Sequence, residues 1–275
     1  MTSAPQLAYL QSRLQARHGD RPTPDEWRMA EASADLSHYL DALGRTALKR
    51  WVSDLHPEMA PEVIERLLRA AWRHDVDEAA RWSPQDWQAA VEWLRWLPDL
   101  PAIAHLLRGE QVPPWMRDDP VLREFAFEAP QRRAEALAAL PLAPLAAAFA
   151  SATPDTADRR TAELAPASND VTAAWLQAWR TRVPGKRDEL PADLATLLET
   201  VRDHLAAMRA GAEAVGQVLR HALAAKLARR FRHGAGTAVA LFSHLLLEGL
   251  ALERVRAGIL ARRLLPERPE GRSWA

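Results

Sequence analysis

The chain has 275 residues, 48% of them hydrophobic and 26% charged, with 36 basic side chains against 36 acidic ones. That composition supplies an apolar core and excludes a chain disordered throughout. Cysteine is absent, which excludes a disulfide framework, a thiolate nucleophile and cysteine-ligated zinc or iron–sulfur sites.

From the N-terminus, the first twenty residues contain no apolar run of the kind a signal peptide carries, so a cytoplasmic protein is expected. Ala, Leu and Arg dominate, while Tyr occurs twice and Ile three times, and no alternating run is bounded by Asn-Gly or Asp-Gly. The chain therefore reads as all-α, built of multi-helix bundle lobes with no sheet. Thr23-Pro24-Asp25-Glu26 has the form of a capping box with proline at the first helical position, and Ser83-Pro84-Gln85-Asp86 has the same form with a shorter acid. Asp119-Pro120 and Pro61-Glu62 are further starts. Helices are expected near 5–18, 24–32, 34–43, 45–54, 60–80, 84–97, 100–108, 120–127 and 130–140. Short gaps make neighbouring helices pack as hairpins.

The stretch Ser151–Asp170 is small, polar and weakly periodic, and reads as a linker or exposed loop. The expected division is an N-terminal helical bundle over 1–150, the linker over 151–170, and C-terminal helices over 171–275 that pack back on the first part. Val171–Arg182 is helical up to a break at Pro184-Gly185. From Pro191 no proline occurs until after Gly234, and Leu194, Leu197, Leu198, Val201, Leu205 and Met208 mark one face, so one long helix is expected there. Gly234-Ala235-Gly236 turns the chain into a second long helix, Thr237–Leu264. Its first half is apolar nearly all round, as a buried central helix would be. Its richest apolar stretch, Thr237–Leu252, contains Ser243, His244 and Glu248 and is short for a membrane span.

Charge is distributed unevenly. Residues 1–200 hold 23 basic and 30 acidic side chains, whereas residues 201–275 hold 13 and 6, with no acid between Glu213 and Glu248. Such polarity suits docking of one part on the other, or a partner that meets one pole. Arg220, Lys226, Arg229, Arg230 and Arg232 form a basic segment and are candidate partner-binding residues. Nucleic acid is disfavoured as their ligand because the whole chain is neutral and only Phe231 interleaves them. Among eleven tryptophans, Trp72, Trp82, Trp87, Trp93 and Trp96 cluster, which reads as core and hairpin packing rather than an exposed patch. Trp115, beside Pro113-Pro114 on an expected loop, is the better interface candidate.

No phosphate-binding glycine loop, dinucleotide fingerprint, HExxH or GxSxG motif occurs, so no enzymatic activity, cofactor or small-molecule substrate is expected. His74-Asp75 with Asp77 could begin a metal site if His38, Asp41 and His56 joined it; the plainer reading is a solvated helix end.

The segment Tyr9-Leu-Gln-Ser-Arg13-Leu14-Gln-Ala-Arg17-His-Gly19 resembles the Tyr-x3-Arg-[hydrophobic]-x-Ala-Arg start of the C/d family of V-type ATPase central adaptor subunits. Thr23–Trp27, Asp35–Leu43 and Thr46–Leu48 resemble that family's second element. The C-terminal run Phe242–Glu248, Glu253–Arg256 and Arg262–Pro266 is similar to its last helix and basic tail. Leu252, Val255 and Arg256 fit that pattern, while Ala251 and Arg254 depart from it. The resemblance covers both ends of the chain. It implies a non-catalytic all-helical adaptor between the central stalk and the membrane rotor ring of a rotary ATPase, peripheral on the cytoplasmic face, with protein subunits as partners and no span of its own. The rival expectations are a helical scaffold of another bacterial assembly and a helical metal hydrolase built on His74 and Asp75.

Overall fold

The structure, a computed structural model, describes residues 4–127, 129–150, 171–185, 190–210 and 216–264. The expected linker Ser151–Asp170 lies outside the described residues. Among the described residues there is no strand, as the scarcity of strand formers implies. Contacts divide the chain into two units, one formed by Met1–Glu92 with Asp188–Ala275 and the other by Trp93–Arg187.

The first unit contains α1 (Ala4–Gly19), α2 (Pro24–Ala32), α3 (Leu36–Gly44), α4 (Lys49–Val52), α5 (Pro61–Trp82) and α6 (Gln85–Glu92). The chain returns to it with α12 (Ala192–Ala210), α13 (Gly216–His233) and α14 (Ala238–Leu264). The Thr23 capping box forms as its residue types dictate. Glu26 N–H donates to Thr23 Oγ1 at 3.2 Å, and Thr23 N–H donates to a Glu26 carboxylate oxygen at 2.7 Å. Ser83 acts differently from its expected role as a cap of the following helix. Its hydroxyl donates back to the Ala79 carbonyl at 2.7 Å, satisfying an acceptor at the end of α5.

α14 is the axis of this unit. It packs against α1, α3, α5, α12 and α13, and Val239 through Leu245 are all buried. A helix apolar on every side is stable only when neighbours cover every side, which accounts for both ends of the chain converging on it. Leu14, Leu43, Leu48, Leu68, Trp72 and Phe242 are fully buried, each contributing about 1.5–3 kcal/mol of burial. Gly258 is required by close approach: a Cβ there would overlap the hydroxyl and ring of Tyr39.

The expected single helix from Pro191 to Gly234 is instead two. Arg230 donates to Thr200 Oγ1 at 3.1 Å. Thirty residues of one straight helix would hold those groups about 45 Å apart, so α13 folds back along α12. Gly211 and Gly216 bracket the interval between them, and glycine lowers helix propensity by roughly 1 kcal/mol against alanine. The turn at Gly234–Gly236 occurs as expected, with Gly236 at φ 79° and its N–H donating to the Gln11 side chain at 2.7 Å.

The second unit starts with a 3-10 turn, Trp93–Asp99. It continues with α7 (Leu100–Leu107), α8 (Pro114–Asp118), a 3-10 turn Leu122–Glu124, α9 (Pro130–Ala138), α10 (Ala143–Ala150) and α11 (Val171–Arg180). Two expected helices shorten: 84–97 becomes α6 followed by a 3-10 turn containing Pro98, and 120–127 becomes a 3-10 turn. Asp119 still caps that turn, accepting from the Val121 and Leu122 N–H groups at 2.9 and 3.0 Å. Likewise 45–54 contracts to α4 between turns. Gly109, at φ 76°, ends α7. The buried Arg133 guanidinium donates to the Leu106 and Glu110 carbonyls at 2.8 and 2.9 Å. Trp93 and Trp175 exchange indole-to-carbonyl hydrogen bonds at 3.0 and 3.3 Å, and the Arg182 guanidinium lies 3.8 Å from the Trp93 ring centre.

The unit boundaries differ from the expected division at 150–171. α10 and α11, on either side of the expected linker, pack on each other, and the C-terminal helices share a core with the first ninety residues. Of the segment 171–275, α12, α13 and α14 join the unit of the first ninety residues, whereas α11 belongs to the other unit.

Candidate functional site

The most concentrated chemistry lies inside the first unit, where four helices bring charge together. Arg17 and His18 come from the last turn of α1, with Arg21 just beyond it. Arg50 and Trp51 come from α4, Asp75 and Glu78 from α5, and His244 and Glu248 from α14. Asp75 and Glu78 are three residues apart, and His244 and Glu248 four, so each pair shares a helix face. Asp75 is 9% exposed and Glu248 4%, and a buried carboxylate needs a cationic or hydrogen-bonding partner.

Both have several. Asp75 accepts from Arg50 Nε at 3.0 Å and from the Trp51 indole N–H at 2.7 Å, with Arg17 Nη1 at 3.5 Å. Glu248 pairs directly with Arg50, with Arg21 Nε at 3.5 Å. Arg17 also pairs directly with Glu78, and Arg50 donates to the Ala47 carbonyl at 2.9 Å. Three guanidinium groups thus meet three carboxylates. Burial pushes the Glu248 carboxyl up, against the pull of Arg50 and Arg21. Burial works against the charge of Arg50, but Glu248 and Asp75 outweigh it and hold the guanidinium protonated.

Beside this network sit two histidines. His18 stacks on Phe231, with ring centres 3.9 Å apart, and its ring lies 6.4 Å from that of His244. Burial, then Arg21 and Arg232, lower His18 to about 4. Burial, then His18, Arg21, Arg50 and Arg17, lower His244 to about 3. Both rings are therefore neutral at physiological pH.

A cleft of about 450 Å³ opens against the network. Leu67, Ala70 and Ala71 give it an apolar side, and Asp54 and His74 join Arg17, Arg50, Trp51, Asp75 and Glu78 around it. The conceivable metal set is not assembled here. Asp75 is committed to Arg50 and Trp51, and His38 Nδ1 meets Asp35 Oδ2 at 2.6 Å. Among the described residues no group of three His, Asp or Glu could hold a metal ion. Chemically the network is a tie between α1, α4, α5 and α14: every carboxylate in it is already paired.

The residues singled out from sequence are placed as follows. Arg220, Lys226, Arg229, Arg230 and Arg232 all lie on α13, and Lys226, Arg229 and Arg232 are exposed while Arg230 is half-buried. Lys226, Arg229 and Arg230 come together with Thr200 around a groove of about 350 Å³. Arg220 lies nearer the N-terminal end, and Arg232 acts on His18 rather than on the groove. Trp115 lies in the second unit, half-buried on α8 rather than on a loop, because Pro113 and Pro114 start a short helix there. Trp72 and Trp93 are core residues, while Trp82 is half-buried beneath Arg13 and Arg17 at 4.7 and 5.5 Å from its ring centre.

Sequence reasoning missed the arginine–carboxylate network. One signal pointed to it: Glu248 stands alone in an apolar run, and a carboxylate at a buried helix position implies a cation elsewhere in the chain. Which cation could not be read, since 36 basic side chains compete. Comparison with protein-family models finds no match, and comparison with curated proteins and with solved structures finds none either.

Proposed function

We propose that this protein is a non-catalytic helical adaptor subunit of a V-type rotary ATPase, linking the central stalk to the membrane rotor ring. The observation that supports this reading best is the meeting of the two ends. The segments that resemble the C/d adaptor family fall in one contact unit, and residues in or beside them bind one another. Arg254 pairs with Glu31 at 2.6 Å, and Arg262 donates to the Ser33 and Glu31 carbonyls at 3.1 and 2.9 Å. Arg17 and Glu248 enter one charge network through Asp75 and Arg50.

An adaptor that transmits torque needs a stiff body, and charged side chains committed to internal pairs suit that need. Among the described residues no helix is long and apolar enough to cross a membrane, so attachment to a rotor ring would run through protein contacts. The helical metal hydrolase draws no support from the geometry around Asp75. A scaffold in another assembly shares the same fold, and the partner distinguishes the two.

The test is mass spectrometry of what co-purifies with the tagged native protein. Stalk and ring subunits of a rotary ATPase are expected. Their absence, with subunits of another assembly in their place, would establish the scaffold reading instead.

A further inference from the structure

Arg17, Arg21, Arg50, Arg254 and Arg256 each meet a carboxylate. The cations of α13 do not: among the described residues, Arg220, Lys226, Arg229, Arg230 and Arg232 form no ion pair. α13 contains no acid to neutralise them. On the neighbouring α12, Glu199 is engaged with Arg202 at 2.8 Å.

Lys226, Arg229 and Arg230 are spaced three and four residues apart, so they project from one side of α13. Arg230 is held in place. It donates to Thr200 Oγ1, whose own hydroxyl donates to the Thr196 carbonyl at 2.8 Å. The result is a groove between two antiparallel helices with three cations on its rim. Nearby, His204 on α12 is lowered by burial and then by Arg220 and Lys226.

We propose that the α12–α13 groove seats an acidic helical segment of a partner protein. Charge complementarity argues for the acid: three cations that pair with no described carboxylate, at helical spacing, match carboxylates at the same spacing on an opposing helix. The surroundings argue for protein over nucleic acid. The described residues of α12 and α13 include one aromatic of the Phe, Tyr or Trp type, Phe231, and it is buried against His18, so no platform for stacking bases is presented. Val218, 65% exposed and further along α13, gives an apolar contact to a side chain of the same partner helix. The inference rests on the adaptor reading and specifies what one of its partners presents.

The test measures fluorescence anisotropy of a labelled helical peptide of glutamate and alanine with the full chain, beside a neutral glutamine–alanine peptide. The acidic peptide should bind, more weakly as salt rises, and the neutral one should not. Lys226→Glu and Arg229→Glu should each weaken binding about tenfold. The milder Lys226→Ala with Arg229→Ala should act in the same direction, and circular dichroism should match the wild type, because both side chains are exposed. Equal binding of the neutral peptide, affinity unchanged in the variants, or tighter binding of single-stranded RNA or phosphatidylglycerol vesicles would overturn the proposal. No ATPase subunit enters this experiment. Peptide binding without co-purifying stalk subunits would leave the groove and remove the adaptor reading; the converse would remove the groove alone.

Discussion

Arg50 and Glu248 are 198 residues apart in the chain and form an ion pair inside the first unit, where Glu248 is 4% exposed. The same guanidinium donates to Asp75, so one side chain on the four-residue α4 joins α5 to α14. A short helix with so little backbone bonding of its own takes its position from those contacts.

Removing one partner of such a pair strands a buried charge. Glu248→Ala should destabilise the first unit by about 3–5 kcal/mol. The costs of Arg50→Met and Glu248→Leu should be less than additive in the double variant, which still takes one partner each from Asp75 and Arg21. Urea denaturation of these variants and the wild type checks this. A single variant as stable as wild type would mean the pair contributes nothing.

Acid should weaken the fold through the histidines. His244 and His18 have folded-state values below the ordinary 6.5, so the unfolded chain takes up protons first. Their contribution is fully present above about pH 6.5 and is lost as pH falls toward 4. For buried His244 the loss by pH 5 is about 2 kcal/mol. Glu248, raised by burial, works the other way: its penalty grows as pH rises through its folded value. Around His244 stand His18, Arg17, Arg21, Arg50 and Glu248, and Arg232 faces His18. Urea midpoints of wild type and His244→Leu at pH 7.5 and pH 5 read the effect, and the variant should lose less between the two.

Gly258→Ala should destabilise by about 1–3 kcal/mol, because the added methyl overlaps Tyr39 against a well-packed wall. Adding Tyr39→Leu should relieve part of the penalty. Thermal unfolding of the single and double variants provides the measurement, and simple additivity would argue against a shared contact.

In the second unit, Trp93→Ala removes a buried indole, its hydrogen bond to the Trp175 carbonyl and the platform beneath Arg182. A cost of about 3–5 kcal/mol is expected. Hydrogen exchange should show lost protection over Trp93–Arg187. Protection unchanged there would mean that the tryptophan pair is not part of the unit's core.

Local chemistry was enough to read most of the elements. The Thr23 capping box, the Asp119 cap, the turn at Gly234–Gly236 and the apolar girdle of α14 each depend on residues within a few positions of one another, and each forms as its residue types require. Ser83 and the Pro191–Gly234 segment went differently for a shared reason. In each case a contact outside the local signal prevailed: the Ser83 hydroxyl bonds back to Ala79, and α13 packs along α12 instead of continuing it. Only tertiary structure decided the rest. The sequence held three guanidinium groups and three carboxylates scattered from Arg17 to Glu248, any of which could have been solvated surface charge. Burial made pairing compulsory, because a charge withdrawn from water needs an opposite charge beside it, and the packing of α14 against α1 and α5 determined which side chains met. The α13 cations Lys226, Arg229 and Arg232 stayed exposed outside that core, and among the described residues they form no ion pair.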